Sequence, residues 1–124
     1  MPHLGKIFVA LVAGLFALSA AGVTADETPL KIGVVYSYTG SNADAGPVLD
    51  AAMAAWLAQH KGTMSGRKVE LIKRDDTGVA PDVVRRLATE LVVQDHVDFL
   101  LGSTFTPNAV AMASVSTQDR KSVV

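Results

Sequence analysis

Leu30-Lys31-Ile32-Gly33-Val34-Val35-Tyr36 is a short, β-branched apolar run that reads as a strand, and the segments after it set the fold. Ser37 to Pro47 is rich in Gly, Ser, Asn and Asp and reads as loop. From Val48 to Lys61 the period changes: Leu49, Met53, Trp56 and Leu57 fall at helical spacing on one face. Gly62 then suits a helix end, and Ser65-Gly66 a turn. The unit repeats. Arg67 to Arg74, with Val69, Leu71 and Ile72, predicts a second strand. Pro81 and Asp82 open a second helix, whose stripe is Val84, Leu87, Leu91 and Val92. Val97 to Leu101 predicts a third strand. Thr106, as a cap, and Pro107, at the first helical position, open a third helix of small residues running to Ser116. Strands alternating with helices imply an α/β fold: a partial Rossmann-like parallel sheet with flanking helices, linked by right-handed crossovers.

Outward from this core the chain has other parts. Met1 to Lys6 carries one firm positive charge. Ile7 to Leu18 is unbroken apolar sequence, and small residues lead to Val23-Thr24-Ala25. A positive start, an apolar middle and a small-residue exit form a secretory signal over residues 1–25, with cleavage after Ala25. The alternative, a membrane anchor, falls short of the roughly 20 apolar residues that a bilayer span needs. Residues 26–118 form one continuous unit. Three strands leave a parallel sheet poorly covered, so the natural protein is expected to continue beyond this chain.

Bulk numbers exclude several classes. The sequence has 124 residues, 11 of them Lys or Arg and 12 Asp or Glu. That balance argues against a nucleic-acid partner, which needs a clustered basic excess. With no Cys, neither a disulfide framework nor a thiolate metal site can form. Gly40 and Gly46 do not build a phosphate loop, since Pro47 stands where Lys-Ser/Thr is required. There is no dinucleotide Gly pattern and no Gly-x-Ser-x-Gly elbow. His3, His60 and His96 are too scattered for a metal, and the acidic pair Asp75-Asp76 reads as a cap for loop N–H groups. Lys73-Arg74 and Arg85-Arg86 read as solvated pairs, Trp56 and Phe99 as core. No catalytic residue, cofactor or metal is expected.

In open α/β sheets ligands bind beyond the carboxyl ends of the strands, where strand order reverses. With the first strand between the second and third, that point lies between Ser37–Gly46 and Gly102–Pro107. Both loops carry hydroxyls and small residues, and a helix start offers free N–H groups suited to a carboxylate. Thr104 and Thr106 also fit a plain turn and cap, and spacing alone does not separate the two readings.

The ordered pieces Lys31-Ile-Gly-Val-Val-Tyr-Ser-Tyr-Thr-Gly40, Gly46-Pro47, Gly66-Arg-Lys-Val-Glu-Leu71, Arg74-Asp-Asp-Thr77 and Leu101-Gly102 with Thr104-Phe-Thr-Pro-Asn-Ala109 resemble the leucine/isoleucine/valine-binding type of periplasmic receptor. The resemblance covers Leu30 to Gln118. It implies part of the N-terminal lobe of a type I periplasmic solute-binding protein, two lobes that close on a ligand, delivery to an ABC permease in the inner membrane, and no catalysis. Thr106 resembles the hydroxyl residue that holds the ligand carboxylate. Thr104 and Phe105 line the same loop, and Ser37 and Tyr38 resemble the first-strand loop. Ala45 stands where many amino-acid binders carry an aromatic, and Thr106-Pro107 where many carry a Ser pair. The extra room at Ala45 points to an aromatic or keto acid rather than leucine. The implied function is capture of an amino acid or other small carboxylate in the periplasm for import. The alternative is a ligand-sensing lobe of a receptor or regulator on the same fold. Asp119 to Val124 departs from the family pattern and is similar to a translated sequencing-adapter stretch, so it is expected to be an assembly artefact; a genuine fourth strand is the competing reading.

Overall fold

The computed structural model describes residues 28–119 and 122–123. The expected signal segment, residues 1–25, lies outside the described residues. Strands β1 (Leu30–Tyr36), β2 (Thr63–Met64), β3 (Arg67–Asp75), β4 (Phe99–Leu101) and β5 (Ser122–Val123) form one sheet in the order β2-β3-β1-β4-β5. Helices α1 (Ala45–Gln59), α2 (Pro81–Val93) and α3 (Thr106–Asp119) connect them, and a single 3-10 turn, Gly40–Asn42, interrupts the first loop. β1 lies centrally and pairs in parallel with β3, from Leu30↔Val69 to Tyr36↔Asp75, and with β4, from Ile32↔Phe99 to Val34↔Leu101. The expected α/β class and the placement of the first strand between the second and third both hold.

The period-two alternation of β1 divides the core. Gly33 and Val35 face α2 and α3, and Val35 packs there with Val84, Leu87, Ala88, Leu91, Val92, Val97, Leu100, Ala111, Met112 and Val115. The α2 stripe read from the sequence is this buried face. Ile32 and its neighbours Leu71, Val69 and Leu101 face α1 across an apolar gap of about 190 Å³ edged by Met53, Trp56, Leu57 and Met64. Trp56 is therefore not core: it is 38% exposed and stacks on His60 with ring centroids 3.9 Å apart.

Several boundaries differ from the sequence reading, each for a local reason. α1 starts at Ala45, within the expected loop, because the Gly46 amide donates to the Ser37 carbonyl at 2.9 Å. Only glycine permits that approach: a Cβ there would sit 2.4 Å from the Tyr38 ring. Pro47 then falls in the first helical turn, where its missing N–H costs nothing. Ser65 and Gly66 both have positive φ, 52° and 79°, and close a hairpin in which β2, not foreseen, pairs antiparallel with the start of β3. α3 starts at Thr106 itself, since the Phe105 carbonyl accepts from Ala109 at 3.0 Å; Thr106 is helical rather than the preceding cap. On β3 the charged pair divides: Lys73 is exposed, as read, while Arg74 is half-buried. Lys73 bridges to Asp50 at 2.8 Å and half-buried Arg74 to Asp95 at 2.8 Å. Asp119 ends α3, and Ser122–Val123 pair in parallel with Phe99–Leu100.

Candidate functional site

β1 and β4 are adjacent and parallel, so Ser37 and the Gly102–Phe105 loop leave the same edge of the sheet from neighbouring strands. β3 ends beside them at Asp75. A hydrogen-bonded cluster forms where the three strand ends and the first turn of α3 meet. Ser37 is fully buried, and its hydroxyl donates to Asp76 Oδ1 at 2.7 Å. Asp76, also fully buried, accepts on the same oxygen from the Gly78 amide at 3.0 Å. Its other oxygen accepts from Asn108 Nδ2 at 3.1 Å and from Ser103 Oγ at 3.5 Å. Fully buried Asn108 donates also to the Gly78 carbonyl at 2.7 Å and accepts from the Ala80 amide at 3.0 Å. Every buried polar side-chain atom among the described residues has a partner, as low-dielectric burial demands.

Asp75 does a related task on the solvent side. Its carboxylate accepts from the amides of Tyr38 (3.0 Å) and Thr77 (2.9 Å) and from the Thr39 hydroxyl (2.6 Å). Desolvation alone would raise its pKa, but the bonds from the Thr39 side chain and the Tyr38, Thr77 and Thr39 amides outweigh that, and the pKa lies below the usual carboxylate value. The expected role of the acidic pair as a loop cap describes Asp75 well. The Tyr38 hydroxyl donates to Asp50 at 2.9 Å. Its pKa is raised, first by desolvation and then by the neighbouring Asp50 and Asp75 charges.

The Asp75 cap has a pH signature. A carboxyl whose folded pKa is depressed binds its proton more weakly folded than unfolded. Stability from Asp75 is then fully present above the unfolded value, about 4, and is lost as pH falls through the lower folded value. Urea unfolding of Asp75→Asn is expected to show reduced stability at pH 7 and a shallower decline below about pH 4 than the parent chain.

The six residues singled out from the sequence thus separate. The cluster ties the Ser37 strand end to the Ser103 loop and the turn that follows Thr104, Phe105 and Thr106. Thr104 and Thr106 are exposed and Phe105 is half-buried at the start of α3. The side chains of Ser37 and Tyr38 are instead committed to Asp76 and Asp50. Ala45, half-buried, opens α1 beside Tyr36, Asn42, Val48 and Leu49 in an open depression that does not include the α3 start. Asn108 is a site-building residue that sequence reasoning misses: its partners lie about 30 positions away, at 28, 30 and 32 residues, and no local pattern signals them. Among the described residues no group of His, Cys, Asp and Glu is placed to hold a metal ion, and no helix is long and apolar enough to cross a membrane.

A central parallel strand flanked by two others, with loops gathered at one carboxyl edge, is the arrangement beyond whose strand ends open α/β sheets place their ligands. The chain belongs to the periplasmic binding protein family, whose model matches residues 29–124. Members of this family are solute-binding proteins, not enzymes. The chain is 34% identical over 111 residues to Leu/Ile/Val-binding protein homolog 6 of Brucella abortus (strain 2308), covering 89% of this chain and 28% of that protein. It superimposes with a TM-score of 0.72 and 36% identity on a solute-binding protein of an ABC transporter from Rhodopseudomonas palustris BisB5, solved in complex with 3,4-dihydroxybenzoic acid. A second solute-binding protein, from Rhodopseudomonas palustris HaA2 with p-hydroxybenzoic acid, gives a TM-score of 0.74 at 32% identity. Each alignment covers 77% of this chain and 26% of the other. The chain therefore spans about a quarter of the length of these relatives.

Proposed function

We propose that residues 26–118 are part of the N-terminal lobe of a receptor that captures a small carboxylate in the periplasm for an ABC permease, with residues 1–25 as a cleaved export signal. The observation that carries the reading is the exposed Thr104–Thr106 segment, delivered to the start of α3 beside the end of β1. Helix-start N–H groups and a threonine hydroxyl favour an anion there. Thr104, Phe105 and Thr106 are the contacts in this reading; Ser37 and Tyr38 support them from the end of β1, and Ala45 lines a separate depression at the start of α1. An aromatic acid is favoured over leucine, because two relatives that are 36% and 32% identical to this chain over the aligned quarter of their length are bound to dihydroxy- and hydroxybenzoic acid. Residues 119–124 stand as a proposed assembly artefact. The β5 pairing is compatible with that origin, because a ladder uses backbone groups of any extended segment, and the coding DNA decides it.

Calorimetric titration of 4-hydroxybenzoate and of leucine into a full-length receptor carrying this lobe tests the reading. The aromatic acid is expected to bind more tightly, and Thr106→Val to weaken it by about tenfold or more, the worth of one hydrogen bond to a charged group. Equal or tighter binding of leucine overturns the aromatic preference, and an unchanged affinity in Thr106→Val overturns the contact. The 124-residue chain alone presents one partial lobe with nothing to close against, so it is expected to show weak or no binding; micromolar binding of 4-hydroxybenzoate by it would overturn that.

A further inference from the structure

We infer that Asp76 and Asn108 are a positioning pair for the Thr104–Thr106 segment, with Ser37 as their third member, and that none of the three touches the ligand. The inference rests on the binding reading above, and concerns what holds the binding segment in place. All three side chains are fully buried. Asn108 occupies the first turn of α3, two residues past Thr106, and both its donor and acceptor ends are engaged: Nδ2 with Asp76 and the Gly78 carbonyl, Oδ1 with the Ala80 amide. The start of α3 is thereby bonded to the loop after β3. Asp76 in turn bonds to Ser37 at the end of β1 and, at 3.5 Å, to Ser103 in the loop after β4. One carboxylate therefore joins three neighbouring strand ends and the helix start.

The energetics favour a rigid unit. The Asp76 carboxylate is out of water, and its partners are neutral donors: two hydroxyls, one carboxamide and one backbone amide. Removing any donor leaves a buried acceptor short of a partner, which costs more than a typical hydrogen bond contributes. Such a network has one good arrangement, and that arrangement fixes where the α3 start points. Ser37 is then an internal brace rather than a bordering residue. The sequence-level likeness of Ser37 to a cleft residue reflects its place at the strand end, while its hydroxyl points inward to Asp76.

Hydrogen exchange on the 124-residue chain, without ligand, tests the pair directly, and its outcome is independent of whether any carboxylate binds. Asn108→Ala is expected to raise exchange at Phe105 and Ala109, the hydrogen-bonded amides of the α3 start, by about tenfold while the amides of Val34 and Val35 in β1 stay within about twofold. A merely structural role would raise all of them by the same factor, and that result, or no change at the α3 start, overturns the inference. If Asn108→Ala does not fold, Ser37→Ala, which removes a single donor, is read by the same comparison. Asn108→Asp sets two carboxylates against each other. Adding Asp76→Asn restores one amide facing one carboxylate and is expected to recover part of the protection lost in Asn108→Asp. A double variant that exchanges as fast as Asn108→Asp, or faster, overturns direct pairing.

Discussion

Gly102→Ala is expected to destabilise the chain by on the order of 3–5 kcal/mol, from the sum of backbone strain and overpacking. Two independent costs meet at this position. Its φ is +143°, a conformation that is essentially reserved for glycine. A Cβ added there would lie 2.0 Å from the Val35 carbonyl oxygen. That oxygen belongs to the central strand, which is held on both sides by β3 and β4, so it cannot retreat as a flexible side chain could. Gly66→Ala supplies the comparison. Gly66 also has positive φ, at 79°, but a Cβ there would meet nothing within 4 Å, so the cost is strain alone, about 1 kcal/mol. Urea unfolding of both variants separates the two costs. For a domain of this size the Gly102 variant should also melt roughly 15 °C lower or more. A loss at Gly102 no larger than that at Gly66 would show that the loop after β4 can move away from β1, and would remove the rigid base on which the Thr104–Thr106 segment rests.

The sheet order is legible in the sequence because its signals are local and strong. Leu30–Tyr36 is bounded by polar turns and has no helical period, so its limits can be read to the residue. The α2 stripe, Val84, Leu87, Leu91 and Val92, recurs at i, i+3, i+7 and i+8, and all four are buried. The features that escape the sequence depend on tertiary contact. Gly46 and Pro47 look like loop residues until the Ser37 carbonyl supplies a partner that holds the Gly46 amide in the helix start. Two-residue β2 is too short to carry a period. Residue type alone puts Trp56 in the core, yet the face it edges is incompletely covered among the described residues, leaving it partly in water. At the site, the hydroxyl of Ser37 and the carboxamide of Asn108 are polar groups near a strand end and a helix start, where solvent or ligand contact is the usual guess. Their inward direction is set by Asp76, 39 positions from Ser37 and 32 from Asn108. Residue type and spacing point to the segment; only geometry divides its exposed residues from its braces.

Leu91→Ala is expected to cost about 4–5 kcal/mol, at the upper end of what large-to-small core substitutions show. Leu91 is fully buried at the centre of the core between α2 and the sheet. The size of the loss depends on how far the surroundings can relax into the space, and here the facing surface is the backbone of Gly33 in the central strand. The Leu91 Cδ1 and Cδ2 atoms lie 3.0 and 3.2 Å from where a Gly33 Cβ would be. Glycine has no side chain to swing into the void, and β1 is pinned by its two parallel neighbours. Val93→Ala on the same helix is the control: Val93 is 60% exposed, and its loss should stay within about 0.5 kcal/mol. The geometry also specifies a rescue. Gly33→Ala alone is expected to destabilise, since its new methyl meets Leu91 at 3.0 Å, but in the Leu91→Ala background that methyl enters the vacated space. The double variant should therefore be more stable than the sum of the single losses, by about 1–2 kcal/mol in a double-mutant cycle. Strict additivity would mean that Leu91 does not rest on Gly33, and would leave Val97, whose Cγ1 lies 3.2 Å from the same point, as the neighbour that requires glycine in the middle of β1.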